Sequence, residues 1–115
     1  MAGHIHGSGE ISPAPGSETI ALDAAVKLPE GAVAYQARTA GSGLDGVDGW
    51  IVVATERQER ATPHVGRLCV VRIKGGPTVH GYSDGAYSVE QFWPETIIPD
   101  VRIEWTEPVL WICPR

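Results

Sequence analysis

Short apolar runs separated by turn-forming residues constrain the fold of this chain more than any other feature. Turn signals such as Pro29-Glu30-Gly31 and Gly75-Gly76-Pro77 recur at close intervals, and the runs between them are rich in β-branched and aromatic residues. This spacing favours strands. The expected strands are residues 32–38, 50–55, 67–74, 78–82, 86–92, 101–105 and 108–113.

The pattern predicts a single domain with little or no helix. Residues 1–16 are rich in Gly, Pro and Ser and are expected to form a flexible lead-in, with at most a short strand around Ile5 or Ile11. Residues 17–115 are expected to form a mainly β domain of several short strands, as a sandwich-like or strongly bent sheet or a partly open barrel.

Three segments are less regular. Residues 20–28 favour a strand, although their alanine content also suits one or two turns of helix. Residues 94–100 are expected to be a loop with a short apolar element. Pro108 is expected at the start of a strand or on an edge, because it has no N–H to donate to a sheet.

A glycine-dense connection, residues 39–49, joins two of the expected strands. Glycines permit turns with positive φ and let another backbone approach closely. Ser42 lies in this connection, between Gly41 and Gly43. A hydroxyl held in a loop between strands raises the question of whether Ser42 is a nucleophile.

Composition excludes some classes of function. The 115 residues carry 14 acidic and 9 basic side chains, a net charge of −5, which argues against this domain gripping a phosphate backbone by itself. No apolar run approaches the ~20 residues that cross a bilayer, and no secretory leader pattern opens the chain. We therefore expect a soluble, cytoplasmic protein without a membrane partner.

The cysteines and the first two histidines are candidate ligands or cross-links. Cys69 and Cys113 lie in apolar runs, where two buried free thiols are favoured over a disulfide in a chain of this kind, although one bridge is possible. His4 and His6 could hold a metal only with further ligands from elsewhere, so a terminal pair without metal is favoured. No cofactor is indicated.

Four segments together resemble the C-terminal domain of LexA-like and phage-type repressors, the Ser–Lys self-cleaving peptidase family. They are VDGWIVV at 47–53, VGRLCVVRI at 65–73, VRIEW at 101–105 and PVLWI at 108–112. Each segment alone is a weak strand pattern, but their order and spacing are similar to those of the family across nearly the whole chain.

The resemblance implies positions for the family's functional residues, and this sequence departs from each of them. Counting back seven residues from Asp48 places the family's serine at Gly41, one residue before Ser42. The family's lysine base corresponds to His80, and its cleavage dipeptide corresponds to Gly7-Ser8. The departures predict a degenerate site without catalytic activity.

In one alternative the chain retains a catalytic pair of side chains. Histidine is largely neutral near neutral pH, so a one-residue slip could let Ser42 and His80 act as a dyad on Gly7-Ser8. Such a dyad requires the two side chains to meet within ~3 Å. Otherwise Ser42 is expected to satisfy local backbone groups, and His80 to be a half-buried strand residue.

The resemblance implies a dimerisation and regulatory module of a prophage-type transcriptional repressor. DNA would be contacted only through a helix-turn-helix domain that this chain does not contain, and a regulatory protein such as an anti-repressor is a further expected partner. Tryptophan is enriched at interfaces. The expected homodimer contacts are Val101, Ile103, Trp105, Val109 and Trp111.

Overall fold

The computed structural model of the protein describes residues 2–13, 30–55, 57, 67–83, 88–91 and 95–114. Within these residues the chain forms nine strands and one short 3-10 helix, Asp45–Val47. The strands are β1 (Gly3–His6), β2 (Ile11–Pro13), β3 (Val33–Arg38), β4 (Ile51–Ala54), β5 (Leu68–Ile73), β6 (Thr78–Ser83), β7 (Ser88–Gln91), β8 (Thr96–Pro99) and β9 (Ile103–Cys113).

Seven of the strands close into a barrel. They are hydrogen-bonded in the order β2-β1-β3-β4-β9-β5-β6, and a pairing of Ile11 with Thr78 joins β6 back to β2. β7 and β8 continue the sheet beyond β6. Among the described strands only β1 and β3 run parallel. The prediction of a mainly β domain is confirmed, and the barrel is closed instead of partly open.

Alternating side chains from the strands fill the barrel interior. Tyr35 pairs with Val52, which pairs with Ile112, so a continuous row crosses three neighbouring strands. The buried members of this interior cluster are Ile5, Tyr35, Ala37, Val52, Ala54 and Val70.

Two further apolar clusters lie on the outside of the barrel. On β3, β4 and β9, buried Ile51 and Val53 pack with Leu110 and Trp111 in what we call the outer β9 cluster. Both faces of β4 are therefore buried, as its β-branched run predicts. The second outer cluster, on β5 to β8, contains Cys69, Val71, Ile73, Val79, Val89 and Val101.

β9 is a single strand of 11 residues, which corrects the expectation of two strands at 101–105 and 108–113. Its first part pairs with β5 and its last part with β4. The register shifts by one residue at two β-bulges. Glu104 has no partner in the pairing with β5, and Leu110 has none in the pairing with β4. Each bulge bends the strand and reverses which face the following side chains occupy.

Pro108 lies in the interior of β9, not at a strand start or edge. It is fully buried and stands opposite Cys69 of β5, while its carbonyl accepts a hydrogen bond from the Thr55 N–H at 2.8 Å. The strand changes from one partner to the other at this point, so a residue that offers only an acceptor is tolerated there.

Two other expectations are corrected at the ends of the sheet. The lead-in is not flexible throughout: residues 3–6 and 11–13 form β1 and β2, so the short strand expected around Ile5 or Ile11 is present at both positions, and Ile5 is fully buried in the barrel. Residues 96–99 form strand β8 along β7, where a loop was expected. The strand proposed for residues 20–28 lies outside the described residues.

Both cysteines are free thiols, in agreement with the favoured alternative. Cys69 is buried in the second outer cluster, whereas Cys113 is half-buried in the outer β9 cluster. Burial raises the pKa of the Cys69 thiol to about 11, against an opposing effect of Arg67.

Candidate functional site

The glycine-dense connection is fixed by Asp48. One oxygen of its carboxylate, Oδ1, accepts hydrogen bonds from the backbone N–H groups of Thr39 at 2.9 Å and Ala40 at 3.2 Å. The buried Thr39 hydroxyl donates to the Leu44 carbonyl at 2.7 Å. The loop therefore has a defined conformation, in which the Asp48 side chain satisfies backbone N–H groups of the turn, a common role of aspartate.

Ser42 is exposed, and its hydroxyl is engaged by its own loop. Ser42 Oγ donates to the Thr39 carbonyl at 2.6 Å, and the Leu44 N–H approaches the same oxygen at 3.4 Å. This is the local role expected of a loop serine, because short hydroxyl side chains satisfy nearby backbone groups in turns.

Gly41, which the resemblance would place at the family's serine position, faces open space. Its φ is 81°, and a Cβ added there would have no neighbour within 4 Å. The position therefore combines a backbone conformation that favours glycine with the absence of a side chain that could react.

Gly7 and Ser8 lie in the turn between β1 and β2, directly against the glycine-dense connection. A Cβ added to Gly7 would overlap the Cβ and Oγ atoms of Ser42. The side chain of Gln91 on β7 holds the turn from another side, donating from Nε2 to the Ser8 carbonyl at 3.2 Å. The structure thus brings the candidate cleavage pair together with Ser42.

His80 lies on β6 with a fully buried side chain. It pairs across the sheet with Val70, a member of the interior cluster, so the imidazole points into the barrel. Burial lowers the pKa of His80 to about 4. The Ser42 hydroxyl donates to the Thr39 carbonyl on an exposed loop, whereas the His80 side chain is fully buried.

A second polar group in the barrel interior was missed by the sequence analysis. Glu107 of β9 also pairs with Val70, and the residue is only 3% exposed. The Tyr35 hydroxyl donates a hydrogen bond to Glu107 Oε1. An isolated glutamate in an alternating strand is ordinarily assigned to the solvent face, so no local pattern indicates this interaction.

Arg57 completes this polar group at the end of β4. Its guanidinium carbon lies 3.8 Å from the centroid of the Trp105 ring, and its Nε lies 4.0 Å from Glu107 Oε2. Burial raises the pKa of Glu107, while the hydrogen bond from Tyr35 and the charge of Arg57 oppose the shift. Burial, reinforced by Glu107, raises the pKa of Tyr35 far above its usual range.

The five expected dimer contacts do not share one surface. Because of the two bulges in β9, Trp105 and Val109 pack against the interior cluster, whereas Val101 and Ile103 belong to the second outer cluster. Trp111 alone of the five lies in the outer β9 cluster, where it is half-buried. The five residues are therefore divided among three clusters.

The histidine pair on β1 forms local contacts. His6 Nε2 lies 2.6 Å from Ser12 Oγ on the neighbouring strand β2. Within the described part of the chain, no group of three or more His, Cys, Asp or Glu side chains is arranged to hold a metal ion.

No family model, no curated protein and no solved structure matches this chain. Among the residues that the structure describes, no helix is both long and apolar enough to span a bilayer.

Proposed function

We propose that this chain is a non-catalytic dimerisation and regulatory domain of a prophage-type transcriptional repressor. The observation that carries the proposal is the state of the two candidate catalytic side chains. The Ser42 hydroxyl is bonded to the Thr39 carbonyl on the surface, while His80 is enclosed in the barrel with its pKa lowered to about 4.

This geometry does not suit general-base catalysis. A nucleophilic serine needs a base within hydrogen-bond reach of its hydroxyl, and the hydroxyl proton of Ser42 is directed to a backbone carbonyl. A buried imidazole with a lowered pKa is also a weak base. Gly41 has no side chain to take over the role.

The position of the β1–β2 turn supports the resemblance to the repressor family. That resemblance implies a cleavage dipeptide and a nucleophile loop as two separate sequence segments. Gly7 lies against Ser42 although 35 positions separate them in the chain, which is the neighbourhood that a former cleavage site would occupy. The regulatory role itself rests on the resemblance.

Self-association is proposed through the outer β9 cluster, where Trp111 is half-buried beside Leu110 and Cys113. A half-buried tryptophan on an outer sheet face is a typical contact residue. DNA would be bound by a helix-turn-helix domain outside this chain, and pairing would present two such domains to half-sites about one helical turn apart.

Pairing is tested by size-exclusion chromatography with light scattering across micromolar concentrations. We expect a dimer for the unmodified chain and a monomer for Trp111→Ser. Ile97→Ser is the matched control, since Ile97 is the most exposed large apolar side chain described, at 67%, and lies on β8. A monomer at every concentration, or equal dimer populations in both variants, would contradict pairing through Trp111.

A second candidate function is self-cleavage between Gly7 and Ser8, favoured by the contact of Gly7 with Ser42. In this alternative Ser42 Oγ would rotate away from Thr39 and attack the Gly7 carbonyl carbon, while its proton passes through a base to the Ser8 nitrogen. The Gly7–Ser8 peptide bond would break with the Ser8 amine as the leaving group, and water would then hydrolyse the ester between Gly7 and Ser42. The observed hydroxyl bond would then be a resting state.

Intact-mass spectrometry after incubation at alkaline pH separates the two functions. The non-catalytic proposal expects the full-length mass at all times. A fragment beginning at Ser8, lost in Ser42→Ala and retained in Ser12→Ala, would establish self-cleavage instead. Ser12 is the matched control because its hydroxyl lies in the same β1–β2 hairpin as Gly7 and Ser8, where it is hydrogen-bonded to His6.

A further inference from the structure

Arg57 occupies a position in which a cation is recognised by an aromatic face and a carboxylate together. Its guanidinium carbon stacks 3.8 Å from the Trp105 ring centroid, and its Nε lies 4.0 Å from Glu107 Oε2. The Arg57 side chain is nevertheless 50% exposed. The cation therefore sits at the edge of the barrel interior, where solvent still reaches it.

The carboxylate that faces Arg57 is costly to bury. Glu107 is 3% exposed and lies among apolar side chains of the interior cluster, including Val70 and Val109. Removing a carboxylate from water is unfavourable unless hydrogen bonds and an opposite charge compensate. Tyr35 supplies a hydrogen bond to Oε1.

Arg57 compensates the other carboxylate oxygen only by its charge. A distance of 4.0 Å between Nε and Oε2 is longer than the ~3 Å of a direct hydrogen bond. The aromatic face, the carboxylate and the hydroxyl are fixed on β9 and β3, whereas Arg57 follows the end of β4 and belongs to no strand. The cation can thus leave without breaking a strand pairing.

We propose that Tyr35, Trp105 and Glu107 form a binding site for a guanidinium group. Arg57 occupies this site in the present conformation, and an arginine side chain of a protein partner occupies it when Arg57 is displaced. A planar guanidinium stacks on an aromatic ring and directs N–H groups to a carboxylate in the same plane. An ammonium group lacks that shape. This site is independent of pairing through Trp111 and of cleavage at Gly7.

The site is tested by vacating it. In Arg57→Ala, ethylguanidinium replaces much of the missing side chain and should produce a saturable shift of the Trp105 indole N–H resonance, assigned with Trp105→Phe. Propylammonium should bind the same variant about tenfold more weakly, because it lacks the planar stacking surface. Adding Glu107→Gln to Arg57→Ala should abolish the ethylguanidinium shift.

Arg72→Ala is the matched control for loss of an arginine. Arg72 Nε also lies near a carboxylate, at 3.6 Å from Glu104 Oε2, but the Glu104 side chain is 51% exposed, whereas that of Glu107 is only 4% exposed. Ethylguanidinium should give no saturable shift at residues around position 72 in this variant. An equal response in the two alanine variants would reduce the effect to non-specific ion binding and overturn the proposal.

A partner arginine is tested on the unmodified protein with the peptide acetyl-Gly-Arg-Gly-amide. It should compete with Arg57 and shift the same indole resonance, about tenfold more weakly than it does in Arg57→Ala. The matching lysine peptide should give a smaller shift. A folded Arg57→Ala protein that responds to neither ethylguanidinium nor the arginine peptide overturns the site, whether or not the Glu107→Gln variant folds.

Discussion

Tyr35 and Glu107, 72 residues apart in the sequence, are joined by a hydrogen bond inside the barrel. The bond ties β3 to β9 across the interior, beside the apolar row of Val52 and Ile112. It supplies the main protein donor to a carboxylate that is almost fully removed from water. The barrel thus depends on a polar contact at a place where an apolar core would cost less.

Replacing Tyr35 by phenylalanine should destabilise the fold. The ring remains, but the carboxylate loses its donor, so the free energy of unfolding should fall by about 1–3 kcal/mol. Urea denaturation measures this change. In the double variant with Glu107→Gln the two effects should not add, because each removes the same interaction. Additive losses would show that the two side chains do not depend on each other.

His80 should make stability sensitive to acid. Its pKa in the folded state is lowered to about 4 from an ordinary 6.5, so the folded protein binds fewer protons than the unfolded chain between these values. The contribution of His80 is fully present above pH 6.5 and is lost as the pH falls through about 4. The shift corresponds to roughly 3 kcal/mol.

Urea denaturation of the unmodified protein and of His80→Leu, between pH 7 and pH 4.5, measures this contribution. Leucine has a similar volume and no titrating group. The unfolding free energy of the unmodified protein should therefore fall relative to that of His80→Leu as the pH is lowered. Parallel pH profiles would mean that the imidazole takes up its proton as easily in the barrel as in the unfolded chain.

The strands that the sequence predicted well are those with local signals. β5 carries a β-branched run, β6 begins with Thr78 and Val79, and Gly75-Gly76-Pro77 lies between them; the expected hairpin is confirmed. The path of β9 depends on which strands it meets, since the bulges at Glu104 and Leu110 arise where it pairs with β5 and then β4. Local propensity carries no information about such a change of partner.

In the candidate site, too, the contacts between residues close in sequence could be predicted and those between distant residues could not. The engagement of Ser42 by its own loop follows from short-range chemistry that the sequence contains. The contact of Gly7 with Ser42 and the burial of Glu107 depend on β1 and β9 meeting residues far along the chain. Alternation ordinarily puts a lone strand glutamate on the solvent face, and it cannot represent a carboxylate whose donor lies on another strand.

Asp48 should control the conformation of the glycine-dense connection. Its Oδ1 accepts from both Thr39 and Ala40, so Asp48→Ala should lower the free energy of unfolding by about 1–3 kcal/mol. Hydrogen exchange at these two amides should accelerate more than at the β5–β6 amides. Asp48→Asn retains an acceptor, so its unfolding free energy should lie between those of the unmodified protein and Asp48→Ala. Uniform acceleration of exchange along the chain would indicate global destabilisation only.

The two cysteines should differ in reactivity. With its pKa raised to about 11, the buried Cys69 would be a thiolate in only about one molecule in a thousand at pH 8. The half-buried Cys113 should therefore react first with an aromatic disulfide reagent. In Cys113→Ser the folded protein should be nearly unreactive until urea exposes Cys69. Equal rates for the two single-cysteine variants would contradict the difference in burial.

Gly7 should tolerate no side chain while Ser42 lies against it. A Cβ at residue 7 overlaps the Ser42 side chain, so Gly7→Ala should cost about 1–3 kcal/mol in unfolding free energy or displace the β1–β2 turn. Gly46→Ala is the matched control, because Gly46 is exposed, has no positive φ and would place its Cβ in open space. Denaturation curves should therefore separate the two alanine variants.

Combining Gly7→Ala with Ser42→Gly tests the contact directly. Removing the Ser42 side chain makes room for the new methyl group, so the double variant should recover most of the stability that Gly7→Ala loses. Exchange of the Ser8 and Gly9 amides should return toward that of the unmodified protein at the same time. If the double variant remains as unstable as Gly7→Ala, the loss of stability arises in the turn backbone. The contact between Gly7 and Ser42 would then not explain it, and the relation of the Gly7-Ser8 pair to the glycine-dense connection would lose its support.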